Sequence, residues 1–382
     1  MEHWSIIKNT NPDIVDIDSV DTHQIVRDQK NRERICIYAY RAGHLVGVIG
    51  RREINETEID GKLRINGNYV YINQSASGLD EAKKVFSDNP QIWNIPVIDI
   101  NGSVIFEYKK SFDVYYSNCD ISNGLNSFPR EKRIIVSLTS HGLRLKTVYI
   151  AIKSIMIQTV KADEIVLYLD DKSGDLRIDH EDELINAGLK IVRGVENLKP
   201  HCKYYYAFQD YPDDIVITVD DDIIYPDNLI EDLFNAHERY PYAVIAHRAH
   251  KAFDDHGNEL LVKDFEWEVS SNKPEKFLCA TGVGGVLYPP GNYRNSFLNA
   301  NLIKRLSLNA DDIWLMYMEA MTQTKVLALS PYPMRTICGS QEEGGLSLKN
   351  NLEEENQKWL NNIERYYGKT LKQLVYEPIT CL

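Results

Sequence analysis

The chain has 382 residues, 43% of them hydrophobic and 26% charged, a balance that excludes a wholly disordered, collagen-like or coiled-coil protein. At a rough 150 residues per domain this is about 2.5 domains, so two units, or one large unit with an appendage, are expected. The 43 Lys and Arg against 56 Asp and Glu leave a net charge of −13. That argues against a nucleic-acid binder that neutralises phosphates, but allows a small anionic substrate where a metal ion or basic group offsets the repulsion.

The opening MEHWSIIKNT lacks a basic segment followed by an apolar core, and no run approaches the roughly 18 apolar residues of a membrane span. A cytoplasmic protein is expected, with peripheral contact at the inner face of a membrane still compatible. The six cysteines are scattered without metal-ligand spacing, so neither a zinc ribbon nor a disulfide framework is implied.

Residues from about 33 to 117 hold short β-branched and aromatic runs, RICIYAY, HLVGVIG, KLRI and YVYI, which read as strands. Asn66-Gly67 and Asn101-Gly102 accept the positive φ of tight turns and predict two hairpins; one helix is expected near Leu79 to Phe86. No catalytic constellation shows here, and a role in packing, assembly or acceptor contact is the plain reading. The polar SNCDISNGLNSFPREK, residues 117–132, reads as a linker. It divides a β-rich accessory domain, 1–128, from a larger domain, 129–382.

After the linker the pattern changes to alternation. RIIVSLT, EIVLYL, KIVRG, DIVITV and YAVIAHR are strands, separated by helices near Thr147 to Gln158, His180 to Ala187, Lys203 to Gln209 and Asp227 to Arg239. That order predicts an α/β domain with a mostly parallel sheet flanked by helices. Its apolar strands run straight into polar residues, Thr139-Ser140-His141-Gly142, Asp170-Asp171-Lys172-Ser173 and Asp220-Asp221-Asp222. Ligands collect at the carboxyl ends of such strands. A last amphipathic helix is expected from Leu352 to Tyr367.

Asp220-Asp221-Asp222 ends a buried strand, where three adjacent acids repel and a divalent cation is a natural compensation. Oxygen ligands favour Mg²⁺ or Mn²⁺. Residues two apart on extended chain point the same way, so Asp220 and Asp222 are the expected metal ligands and Asp221 faces elsewhere. A solvated acidic turn before a helix capped by Asp227 is the alternative. Ala280 to Pro290 packs Gly282, Gly284 and Gly285 ahead of an apolar strand, which allows close backbone approach to a ligand or a tight turn. Asp311-Asp312 opens a helix, where acids also serve as caps.

VDDDIIYP, preceded by YPDDIVIT, resembles the D-x-D region of nucleotide-sugar-dependent glycosyltransferases of the GT-A fold, close to the bacterial family 2 type. The resemblance extends over about residues 132 to 345. It implies a Rossmann-like GT-A sheet preceded by the smaller β-rich domain. In RIIVSLTSHGLRLK, it places Thr139, Ser140 and Arg144 against the nucleotide. EIVLYLDDKSGD is similar to the family's D-D-x-S-x-D strand end, so Asp170 or Asp171 would accept a hydrogen bond from the base, with Ser173 and Asp175 completing the pattern.

In NLKPHCKYYYAF, Lys203 stands where related enzymes carry a lysine near the donor diphosphate, although Lys199 replaces the small residue usual before Pro200. By the same resemblance Asp221, Gly284 and Gly285 flank the donor. NADDIWL is similar to the E-D-x-x-L helix start of inverting enzymes, which makes Asp312 the catalytic base and Asp311 its partner. Gln341, Glu342 and Glu343 are assigned to a loop over the donor. All histidines lie at or before His256, which leaves no carboxyl-terminal histidine ligand for the metal.

The resemblance thus implies sugar transfer from a nucleotide-diphosphate sugar, a UDP-sugar first, to a glycan or lipid-linked acceptor, with inversion and Mg²⁺ or Mn²⁺, in bacterial surface-polysaccharide synthesis. Nucleic acid is not an expected partner. A sugar-phosphate nucleotidyltransferase is the rival enzyme, but TSHGLRLK has a single glycine where triphosphate binding needs a glycine-rich basic loop. A non-catalytic nucleotide- or sugar-binding module is the rival of another class.

Overall fold

The computed structural model describes residues 116, 119–173, 176–291, 298–332, 335–337 and 355–377, together with the backbone of seven strands before residue 116. The chain divides into two compact units, residues 1–115 with 333–336, and residues 116–332 with 337–382.

The first unit contains β1 (His3–Trp4), β2 (Val20–Asp21), β3 (Cys36–Arg41), β4 (His44–Gly50), β5 (Val70–Tyr71), β6 (Pro96–Ile98) and β7 (Val104–Glu107) in one sheet, ordered β2-β1-β3-β4-β5-β6-β7. β6 and β7 pair antiparallel, with Ile98 opposite Val104, so a hairpin brackets Asn101-Gly102 as expected. The strand β3 pairs antiparallel with β4. The Asn66-Gly67 turn and the Leu79 to Phe86 helix lie outside the described residues.

In the second unit a seven-stranded sheet is built from β8 (Ile134–Thr139), β9 (Glu164–Asp170), β10 (Leu189–Val195), β11 (Ile215–Thr218), β13 (Val244–Ala246), β17 (Val286–Tyr288) and β18 (Val326–Ala328), in the order β10-β9-β8-β11-β17-β13-β18. β17 runs antiparallel to β11 and β13, and every other neighbouring pair is parallel. Strands β8 and β11 are apolar along their length because both faces are covered. Between β11 and β13 lies the short β12 (Ile223–Ile224). A small antiparallel sheet of β14 (Ala249–Lys251), β15 (Glu266–Val269) and β16 (Leu278–Ala280) is ordered β15-β14-β16.

The expected helices are present as α1 (Val148–Met156), α2 (Glu181–Asn186), α3 (Cys202–Asp210) and α4 (Leu229–Arg239). α5 (Ala300–Leu306) and α6 (Asp311–Thr322) follow β17. Ile150, Ile152, Ile155 and Met156 are buried as expected, but so is Lys153 on the same helix, which reaches Glu183 at 2.6 Å. Helix α4 is preceded by Asn228 rather than Asp227, with no side-chain cap. Trp314 and Tyr317 of α6 are fully enclosed. α7 (Glu355–Tyr367) buries Leu360 and Ile363. A further helix, α8 (Leu371–Tyr376), starts at a reciprocal capping box between Thr370 and Gln373. Among the described residues no helix is long and apolar enough to cross a membrane.

This topology collects polar residues on one sheet edge. β8, β9 and β11 are parallel, so Thr139, Asp170 and the residues after Thr218 leave the sheet on the same side. Because β17 is antiparallel, with Val286 opposite Thr218, the glycine turn before it arrives at that edge as well.

Candidate active site

The acid triplet follows β11 directly. Asp220 lies against Lys203, the Nζ–Oδ1 distance being 2.7 Å, and the same ammonium group stands 2.9 Å from Oδ2 of Asp311 at the start of α6. Lys203 is thus a buried cation shared between a strand end and a helix start. Burial alone would lower its pKa, but Asp220 and Asp311 hold it well above the ordinary lysine value. Burial likewise opposes ionisation of Asp311, and the charge of Lys203 overcomes it, keeping this carboxyl below the usual range.

Asp221 and Asp222 turn to a second cation. Arg144 reaches Asp221 at 2.8 Å and Asp222 at 3.2 Å, one nitrogen to each, and Ser140 donates to Asp221 at 2.5 Å. The expected alternation, with Asp220 and Asp222 together and Asp221 apart, is therefore not the arrangement found. A guanidinium fork spans two adjacent carboxylates more readily than a point-charge lysine can. Burial, followed by the charge of Asp221, pushes Asp222 up to about 7. Among the described residues no group of three or more His, Cys, Asp or Glu side chains is arranged to hold a metal ion.

Asp312 sits one residue beyond Asp311, and its Oδ1 accepts a hydrogen bond from the Gly282 N–H at 3.0 Å. Burial and the neighbouring charge of Asp311 push its carboxyl up to about 7. A Cβ on Gly282 would lie 2.5 Å from Nζ of Lys203, and one on Gly284 would lie 2.6 Å from Cβ of Arg248. Gly285 has φ +78° and closes the turn into β17. The glycine run is thus wedged between the lysine, the acid pair and Arg248, while Tyr332 donates to the Gly284 carbonyl at 2.9 Å.

Of the other expected residues, Thr139 donates to the Tyr168 carbonyl at 2.9 Å. Asp170 accepts from the Ser173 N–H at 2.7 Å and from Asn197, which makes the strand end a closed turn. Asp171 is exposed. Asp175 and the Gln341-Glu342-Glu343 segment lie outside the described residues.

Three participants escaped the sequence reading. Tyr225, inside the VDDDIIYP segment, accepts from the Asp220 N–H at 2.7 Å and donates to the Val283 carbonyl at 3.2 Å, stitching the acid triplet to the glycine turn. His201 is fully buried, and burial drops its pKa to about 4, so it is neutral. Its Nε2 donates to the Ser307 carbonyl at 2.7 Å and its Nδ1 accepts from Tyr204 at 2.8 Å, which ties the start of α3 to the loop before α6. Glu319 shares α6 with Asp312 and is buried, with one carboxyl oxygen lacking a hydrogen-bond partner among the described residues. No motif flagged Tyr225 or His201, because each acts through a tertiary contact.

Residues 138–298 match the family model for glycosyl transferase family 2. That stretch, which holds the acid triplet and the glycine turn, is therefore similar to family 2 glycosyltransferases. No curated protein sequence matches it. Among solved structures, the mannosyltransferase PcManGT of Pyrobaculum calidifontis, in complex with GDP-Man and Mn²⁺, is 12% identical with a TM-score of 0.38, over 67% of this chain and 73% of that one. GalNAc-T7 with UDP, GalNAc and Mn²⁺ is 13% identical with a TM-score of 0.37, over 71% and 65%. S. aureus TarS 1-349 in complex with UDP-GlcNAc is 12% identical with a TM-score of 0.37, over 62% and 73%. Such distant likenesses transfer no residue roles.

Proposed function

We propose that the chain moves a sugar from a nucleotide-diphosphate sugar, a UDP-sugar in the first instance, to a hydroxyl of a glycan or lipid-linked acceptor with inversion. The observation that carries this reading is Lys203, which joins Asp220 of the acid triplet to Asp311 beside Asp312. A donor-side acid and the immediate neighbour of the candidate base are thereby held on one buried cation at the sheet edge where ligands gather.

In this reading Asp312 is the general base. Its carboxyl, pushed up to about 7 by burial and by Asp311, is poised for proton transfer near neutral pH. The acceptor oxygen attacks the anomeric carbon from the face opposite the diphosphate as its proton passes to Asp312. The bond from that carbon to the phosphate oxygen breaks, its electron pair leaving with the nucleotide, and one displacement inverts configuration. Lys203 and Arg144 face the charge that develops on the departing diphosphate.

The donor chemistry of the acid triplet suits a hard divalent cation, although its side chains are paired with Lys203 and Arg144. Asp220, Asp221 and Asp222 offer only oxygen, and a cation would offset the burial and the charge of Asp221 that push Asp222 up. Asp220 and Asp222 would hold Mg²⁺ or Mn²⁺, which when bound supplies positive charge to the leaving nucleotide. Thr139, Asp170 and Asp171 are assigned to the nucleotide, and Gly284 and Gly285 to the donor sugar. The setting assigned to it is bacterial surface-glycan synthesis, by a cytoplasmic enzyme at the inner face of the membrane. The accessory domain, 1–128, is assigned to assembly or acceptor contact.

Thermal shift tests the reading, because a ligand of the native state raises its apparent stability. A panel of UDP-, GDP-, CMP- and dTDP-sugars is run with and without Mn²⁺. Metal-dependent stabilisation by one nucleotide series, lost in Asp222→Asn, is expected. A folded protein that answers to no nucleotide would refute it.

A further inference from the structure

The small sheet beside the glycine turn carries a feature that donor chemistry does not use. Trp267 on β15 is a large aromatic left 49% exposed. Beneath it the His250 ring lies with centroids 4.5 Å apart at 35°, and the Arg248 guanidinium carbon is 5.3 Å from the ring centroid. Arg248, in the bend before β14, and His250, on β14, both reach the indole. The indole is therefore backed by two side chains rather than dangling in solvent.

Its backbone is held just as firmly. Glu268, the next residue, has φ 57°, an uncommon and costly conformation for a residue with a Cβ. Two contacts maintain it. The Glu268 N–H donates to Nδ1 of His250 at 3.1 Å, and its carboxylate meets Nε of Arg248 at 3.0 Å. The pairing of β14 with β15 shifts register at this point, a bulge of the kind that re-aims a side chain. Burial pushes His250 down to about 3, which keeps it a neutral acceptor for that N–H.

Arg248 ties the platform to the candidate active site. It donates to Oγ1 of Thr281 at 3.1 Å and its carbonyl accepts from the Thr281 N–H at 2.9 Å. Gly284 is packed against its Cβ, and Gly282 of the same turn donates to Asp312. Thr281 and Gly282, adjacent in one turn, thus link Arg248 under the indole to the acid assigned as base.

We propose that Trp267 is the stacking platform of an acceptor subsite, taking the apolar face of a pyranose ring while that sugar, or the one next to it, offers its hydroxyl to Asp312. The inference rests on the glycosyltransferase reading. The electron-rich indole attracts the partial positive charge of axial C–H groups on a pyranose, and Arg248 beside it disfavours a cationic sugar. The donor has no part in it, so removing the indole separates acceptor from donor binding.

The test uses the full chain labelled with 5-fluorotryptophan, Trp267→Phe to assign the Trp267 fluorine resonance, and a panel of trisaccharides ending in glucose, galactose, N-acetylglucosamine or glucuronic acid. The Trp267 resonance is expected to shift with at least one member. In Trp267→Ala, the acceptor KM for the trisaccharide that is glycosylated should rise about tenfold, with Trp267→Phe in between, while slow donor hydrolysis keeps its rate and donor KM. An unmoved resonance across the panel, or an unchanged acceptor KM in Trp267→Ala, overturns the proposal. Loss of donor turnover in the wild-type protein itself would instead strike at the glycosyltransferase reading.

Discussion

Lys203 and Asp311 lie 2.9 Å apart, joined from two helices far apart in sequence, and both are buried. With Asp220 on the other side of the ammonium, a single lysine neutralises charge contributed by a strand end and by a helix start. Removing one partner of a buried ion pair leaves the other charged and unsolvated.

Lys203→Met should therefore cost stability as well as activity. The loss is expected to be about 3 kcal/mol, the order found when one member of a buried pair is deleted. Urea unfolding of the variant against wild type checks it. Removal of Lys203 without a shift in the midpoint would mean that Asp220 and Asp311 are compensated elsewhere.

The two glycines should respond differently to a methyl group. Gly282→Ala places Cβ against the tip of the Lys203 side chain, which can retreat, whereas Gly284→Ala drives it to 2.9 Å from the backbone nitrogen of Arg248. Overpacking against backbone costs about 1–3 kcal/mol. Gly284→Ala is expected to melt clearly lower than wild type. Gly282→Ala should melt closer to it, because the Lys203 side chain shifts yet stays within reach of Asp220 and Asp311, and should lose turnover. Equal melting temperatures for the two variants would argue against this packing.

Asp312 gives the pH dependence its sign. Its carboxyl must be ionised to take a proton, and it is pushed up to about 7. Turnover should rise with pH through about 7 and fall about tenfold per unit below it. Stability runs the other way. A carboxyl whose folded pKa stands above its unfolded value of about 4 favours the native state at low pH, and that contribution is lost as pH rises through the folded value. Asp312→Asn should flatten this loss between about pH 4 and 7, read as melting temperature against pH.

Much of the site's chemistry was legible in the sequence, since β8, β9 and β11 are apolar runs ending in polar residues, and the acid triplet and acid pair announce themselves by type and position. The pairing of those acids was not. Local alternation placed Asp220 with Asp222, but Arg144, 77 residues away from Asp221, takes Asp221 and Asp222 together. His201 and Tyr225 were invisible for a related reason, because a buried imidazole or phenol gains its role from whatever carbonyl the fold sets beside it. α8 went unnoticed although Thr370-Leu371-Lys372-Gln373 spells a capping box, a local signal that six helical residues made easy to pass over.

The most direct test of the account is Asp312→Asn, assayed in parallel for transfer and for donor binding. Asparagine can still accept from the Gly282 N–H, so the fold and the donor site should persist. The account predicts a fall in transfer of at least about a hundredfold, the contribution typical of a general base, with stabilisation by the nucleotide sugar unchanged. Transfer at the wild-type rate in the folded variant would contradict it.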